Sequence, residues 1–168
     1  WRKNKRNGGI LMNVPQNRIL FKGLSMPHSP RGYNHNLWML ESGRGSMVRL
    51  DLKTGAKTEI ARKLGFTRGL DFAGPLAFIG LSQARETATF SDFPLLEQLE
   101  KRICGVYVVN IETGKINGFI RFEGHVEEIF TVQVLQHRFP ELMETDHELL
   151  QTAYMVPADR VREFDAGE

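Results

Sequence analysis

Short apolar runs alternate with polar positions along this chain at the period of two expected of strands with one buried face. Met47-Val48-Arg49-Leu50 and Lys57-Thr58-Glu59-Ile60 are two such runs. The segment that joins them, Leu50-Asp51-Leu52-Lys53-Thr54-Gly55, recurs as Val109-Asn110-Ile111-Glu112-Thr113-Gly114 between Val106-Tyr107-Val108-Val109 and Ile116-Asn117-Gly118-Phe119-Ile120. A weaker copy, Asn13-Val14-Pro15-Gln16-Asn17-Arg18, separates Ile10-Leu11-Met12 from Ile19-Leu20-Phe21. Each Thr-Gly pair falls where a tight hairpin requires positive φ, which glycine adopts at little steric cost. Repeats of short strands and tight turns predict stacked antiparallel blades.

The spacing from Asn13 to Asp51 suits a blade of roughly 40 residues. The longer interval from Asp51 to Asn110 is the same blade with an insertion. In the first full blade the expected strands are Ser29 to Tyr33, Asn36 to Glu41, Ser46 to Leu52 and Lys57 to Arg62. The second repeats them at Thr67 to Phe72, Pro75 to Leu81, Cys104 to Ile111 and Lys115 to Phe122. A third begins at Glu127 to Val134. Within the insertion Ser91 or Asp92 is a helix cap, Pro94 fits the first turn, and Leu95, Leu96, Leu99 and Ile103 share one face. The predicted fold class is therefore all-β, with propeller-type blades of four antiparallel strands forming a partial propeller. The single domain 1–168 comprises blade parts 8–22, 28–62, 66–122 and 126–157, a short helical insertion at 92–103 and a charged tail at 158–168. Closure of such a propeller calls for further blades or another chain.

Composition narrows the function classes. The length of 168 residues fits one domain with a substantial core. A net charge of +2 gives no ground for a nucleic-acid partner, and the cluster Arg2, Lys3, Lys5 and Arg6 reads as a solvated end. No apolar run reaches the roughly 20 residues that span a bilayer, so no membrane span is expected. The chain begins with Trp1, without a signal-peptide pattern, as a processed or partial chain would. The lone Cys104 makes no internal disulfide and reads as a buried thiol, which fits a reducing cytoplasm.

Chemistry is expected where the innermost strands begin, at one mouth of a central channel. Matching His28-Ser29-Pro30-Arg31 to Phe66-Thr67-Arg68-Gly69 and Val126-Glu127-Glu128-Ile129 gathers an imidazole, two guanidiniums and two carboxylates there. Such a mixture binds an anionic or sugar-like ligand through bidentate arginine contacts, or neutralises itself through an Arg68 pair with Glu127 or Glu128. The polar exit Ser82-Gln83-Ala84-Arg85-Glu86 is a candidate rim. The loop Glu41-Ser42-Gly43-Arg44-Gly45-Ser46 reads as a hairpin, since it lacks a following helix and a Gly-Lys-Ser ending. His28, His35, His125, His137 and His147 lack metal-ligand spacing. Asp51 and Asn110 read as turn caps, and Trp38, Phe78, Tyr107 and Phe130 as packing positions.

Several blocks resemble a known family: Gly23-Leu24-Ser25-Met26-Pro27-His28-Ser29-Pro30-Arg31, Leu40-Glu41-Ser42-Gly43, Gly65-Phe66-Thr67-Arg68-Gly69-Leu70, Phe78-Ile79-Gly80-Leu81-Ser82-Gln83, Cys104-Gly105-Val106-Tyr107-Val108-Val109 and Glu128-Ile129-Phe130-Thr131-Val132-Gln133-Val134-Leu135. Over residues 8–157 the chain resembles an uncharacterised bacterial family, a conserved hypothetical or domain-of-unknown-function group in which some members carry tetratricopeptide repeats. The resemblance implies a propeller-like β fold and no particular activity. Its blocks and the expected channel mouth share His28, Arg31, Glu41, Arg68, Gln83, Arg85, Glu86 and Glu128, which become the candidate ligand-binding set. The leading expectation is a binding or scaffold module that recognises a small polar or anionic ligand, or a protein partner, at that mouth. One alternative is a metal-dependent hydrolase resembling the six-bladed lactonase propellers, with Glu127 or Glu128 on a divalent Ca- or Mg-like ion, His28 as base and Arg31 or Arg68 as clamp. The other is a purely structural repeat domain. No catalytic residue, metal ligand or cofactor is assigned outside the hydrolase alternative.

Overall fold

The computed structural model describes residues 3–83, 103–124 and 126–136. The chain divides into two compact units, Trp1–Val134 and Leu135–Glu168. The fold below is that of the first. Its described residues contain ten strands in three antiparallel sheets and no helix. β1 (Gly9–Asn13) and β2 (Arg18–Leu24) form a two-stranded sheet. β3 (Pro27–Tyr33), β4 (Asn36–Glu41), β5 (Ser46–Leu50) and β6 (Lys57–Ala61) form a four-stranded meander in chain order. A second meander joins β7 (Phe66–Ala73), β8 (Leu76–Ser82), β9 (Gly105–Asn110) and β10 (Ile116–Arg121). Each expected strand in these meanders is present to within a few residues. The 92–103 helix lies outside the described residues apart from Ile103, as do Arg85, Glu86, the tail and most of the last blade part. The three sheets do not close into a barrel or ring.

Turn chemistry explains why the two meanders are alike. The Asp51 carboxylate accepts from the N–H groups of Lys53 and Thr54 at 2.8 and 3.1 Å, and Gly55 N–H donates to Asp51 O at 2.9 Å. Asn110 does the same with an amide oxygen, accepting from Glu112 and Thr113 at 2.9 Å each, while Gly114 N–H donates to its carbonyl at 2.8 Å. Gly55 and Gly114 take φ of 74° and 69°. Short side-chain acceptors of this kind satisfy turn N–H groups that no ladder can reach. In the weaker copy Asn13 Oδ1 accepts from Gln16 N–H at 3.0 Å.

The sheets stack face to face, and β4 shows how. Its side chains alternate between two cores. Trp38 and Leu40 meet Leu70, Ile79 and Leu81 of the second meander, while Met39 meets Phe21 and Leu24 of the two-stranded sheet. All of these are at least nine-tenths buried. A strand covered on both faces reads as a continuous apolar run, which is what Leu37 to Leu40 is. Full burial of one such leucine contributes about 2 kcal/mol relative to exposure. Tyr33 stacks on Phe72 at 4.5 Å between centroids, and Trp38 Nε1 donates to Tyr33 O at 3.0 Å.

Polar seams tie successive layers. The Ser42 hydroxyl at the end of β4 donates to Thr67 O on β7. Ser82, at the matching end of β8, donates from Oγ to Ile129 O at 3.1 Å and accepts from Ile129 N–H at 2.8 Å. Residues 126–134 pair with no strand, yet they lie along the second meander, with Val134 N–H on Asp71 Oδ2 at 2.6 Å. The segment expected to open a third blade thus takes a place on the second meander corresponding to that of β7 on the first.

Candidate functional site

The site starts from a backbone irregularity. β3 carries one extra residue between His28 and Arg31, and β7 one between Thr67 and Leu70. Ser29 and Gly69 inside these bulges take φ of 53° and 84°. A bulge bends its strand and re-aims the neighbouring side chain. Since Asp51 corresponds to Asn110, the ladder makes Leu40 correspond to Gly80 and His28 to Arg68. This corrects the alignment expected from sequence by two residues. A shift of two keeps a strand residue on the same face, so His28 and Arg68 still emerge side by side.

Both line a cleft of about 430 Å³ with Glu128. Met26, Pro27 and Phe66 form an apolar wall, and Asn4, Lys5 and the stretch Gly8 to Ile10 complete the lining. The N-terminal stretch packs too closely for larger residues: a Cβ on Gly9 would stand 2.4 Å from Pro27 Cδ. Ser25 Oγ donates to Lys5 O at 3.1 Å and holds that stretch against the sheet. Arg68 donates from one terminal N–H to Glu128 Oε1 at 3.2 Å, and its guanidinium lies 4.2 Å over the Phe130 ring. The pair is partly exposed on both sides, so it orients Arg68 more than it stabilises the fold.

Burial, and secondarily the Arg68 charge, holds the His28 imidazole below its ordinary pKa of 6.5. The folded chain therefore favours neutral His28. Below pH 6.5 the unfolded chain takes up a proton that the folded chain resists, so this contribution to stability is complete above 6.5 and declines as pH falls toward the folded pKa. In urea melts at stepped pH, His28→Gln is expected to flatten that decline while leaving the plateau slope unchanged. An identical acid slope in both proteins would place the titration elsewhere.

The other expected site residues go elsewhere. Glu41 does not line the cleft: it is 1% exposed and bound by Ser25 N–H, Arg44 and Lys57. Arg31 donates from Nε to Leu70 O at 3.1 Å and braces β3 against β7. Gln83 meets the 126–134 segment through its backbone, donating N–H to Glu127 O at 2.8 Å. Arg85 and Glu86 lie outside the described residues. The Glu41 to Ser46 loop is the hairpin turn its glycines predicted, with Gly45 at φ 61°. His35 is a turn residue at φ 58°. Cys104 is buried, which together with Glu127 pushes its thiol pKa up and away from nucleophile chemistry. Phe130 is not a packing position: it is 63% exposed, beneath Arg68. Sequence reasoning missed the apolar wall and Lys5. The signal for Lys5 was its basic cluster, and Phe66 stood beside Arg68 in one block.

Among the described residues no three His, Cys, Asp or Glu side chains stand where they could hold one metal ion. No described helix is long and apolar enough to cross a membrane. A family model described as a domain of unknown function, DUF4915, matches residues 1–143. The chain belongs to the DUF4915 family. No curated protein matches the DUF4915 chain.

Proposed function

We propose that this DUF4915 chain is a binding module that recognises a small anionic ligand in the His28–Arg68 cleft, and that its meanders are blades of a β-propeller. The observation that carries the reading is the cleft itself: a guanidinium and an imidazole meet beside an apolar wall in a concavity of about 430 Å³. Convergent polar groups in a largely apolar concavity are the usual form of a small-molecule site. The blade reading draws on the shared strand order, turn hydrogen bonds, bulges and serine seams of the two meanders. In that reading β1–β2, with its Asn13 turn, is the outer half of a further blade.

The lactonase-like alternative draws less support. Its metal ligand Glu128 is engaged by Arg68. Glu127 offers its backbone carbonyl to Gln83. The experiment is a solution NMR titration of the whole chain with a library of small anions, amines and neutral amides. Shifts confined to His28, Phe66, Arg68 and their neighbours in response to anions, and not to amines or neutral amides, support the reading. A library that leaves these resonances unmoved overturns the reading and favours a purely structural domain.

A further inference from the structure

We infer that the ligand of this cleft is a small apolar monocarboxylate, with its carboxylate on Arg68 and His28 and its hydrocarbon body against Met26, Pro27 and Phe66. The inference rests on the binding reading above and names its ligand class.

Charge sets the sign of the head group. Among the described residues the charged side chains lining the cleft are Lys5 and Arg68 against Glu128, with His28 as a further titratable group. The Arg68 guanidinium and the His28 imidazole together favour an anionic head group there. Geometry sets the head group. Glu128 takes one N–H of Arg68, and the Phe130 ring lies against the guanidinium. A planar fork with further N–H donors matches a carboxylate better than it matches a hydroxyl or an amide. Shape sets the body. Met26, Pro27 and Phe66 offer no polar side-chain atoms besides a thioether, so a compact inorganic anion would lose hydration against them without hydrogen bonds in return.

His28 supplies an independent signature. A carboxylate placed beside it favours the imidazolium, opposing the burial and the Arg68 charge that keep the ring neutral when the cleft is empty. Arg68 and Lys5 oppose the protonated ring, while Glu128 and the ligand favour it. Binding is therefore coupled to proton uptake, and affinity rises as pH is lowered through the pKa of His28 in the complex.

The test is calorimetric titration of the full chain at about pH 6.5 with phenylacetate, its neutral isostere phenylacetamide, and inorganic phosphate. Each is measured in two buffers of unlike ionisation enthalpy. Phenylacetate is expected to bind at least about tenfold more tightly than the amide, because a charge-assisted hydrogen bond is lost with the charge. Arg68→Gln is expected to remove that preference, and His28→Gln to abolish proton uptake with a smaller loss of affinity. Thermal melts confirm that each variant is folded, and His28→Gln alone remains decisive if Arg68→Gln fails to fold. Equal binding of acid and amide overturns the inference, as does phosphate binding more tightly than phenylacetate, or proton uptake that survives in His28→Gln. If none of the three binds while other anions of the library shift the cleft resonances, the ligand class is wrong and the binding reading stands. If no compound shifts them, both fall.

Discussion

Replacing Glu41 with alanine is expected to lower stability by about 3 kcal/mol, the low end of the cost of removing one partner from a buried charge cluster. Glu41 is 1% exposed and accepts from three directions. Ser25 N–H donates to Oε1 at 2.9 Å, Arg44 reaches the same oxygen at 2.6 Å, and Lys57 reaches Oε2 at 2.8 Å. The two cations are about a third exposed and can rehydrate, which holds the cost at that low end. The Ser25 N–H cannot rehydrate, because Ser25 is fully buried. An unsatisfied buried donor costs about 1–3 kcal/mol alone. Glu41→Gln keeps an oxygen for Ser25 and Arg44 but gives up the charge and the acceptor for Lys57, so it is expected to cost about half as much. Urea denaturation of both variants checks the order, with unchanged m-values showing that the native state alone is affected. Equal losses would mean that the ion pairs, not the Ser25 bond, dominate. Glu41 does not line the cleft, so phenylacetate binding in the folded Glu41→Gln protein is expected to match that of the parent.

Glu41 also shows which kind of information a linear reading lacks. A charged residue ending an apolar strand looks functional, and its partners Ser25 and Lys57 each stand sixteen positions away. Only the fold brings them round it. The strands and their turns were legible because their causes are local: period-two alternation, a short acceptor side chain, and a glycine where φ must be positive. The bulges were not, because β3 places a serine rather than a glycine at its positive-φ position. Without that mark the inner strands align by their first residues, two positions from the correspondence that the ladder sets. His28 and Arg68 share a face despite the slip because strand faces repeat every second residue. Arg68 and Glu128 were foreseeable as a charge pair. The apolar wall was not, since Met26, Pro27 and Phe66 precede the expected strands and line the cleft only together with the N-terminal stretch.

Gly80→Val is expected to cost about 3 kcal/mol, the upper part of the usual range for overpacking. The obstacle is backbone: a Cβ on Gly80 would stand 2.2 Å from Arg68 O, as well as 2.8 Å from Ile129 Cγ2. At the corresponding position of the first meander, Leu40 is accommodated and wholly buried. The difference is that residues 126–134 press on the second meander at this point, and Val132 Cγ2 would lie 3.0 Å from the same Cβ. Relief therefore comes either from β7 moving at Arg68 or from the segment lifting away. Lifting breaks the Ser82–Ile129 bonds and takes Glu128 and Phe130 from Arg68. Hydrogen exchange separates the routes, because the Ile129 amide is bonded to Ser82 Oγ in the parent. Rapid exchange at Ile129, with β7 and β8 amides still protected, would show the segment to be a separable layer. It would also show that Arg68 depends on that layer for its orientation, and phenylacetate affinity is then expected to fall with it. Loss of stability with Ile129 still protected would instead locate the strain in the β7 bulge, and with it the part of the backbone that aims Arg68 into the cleft.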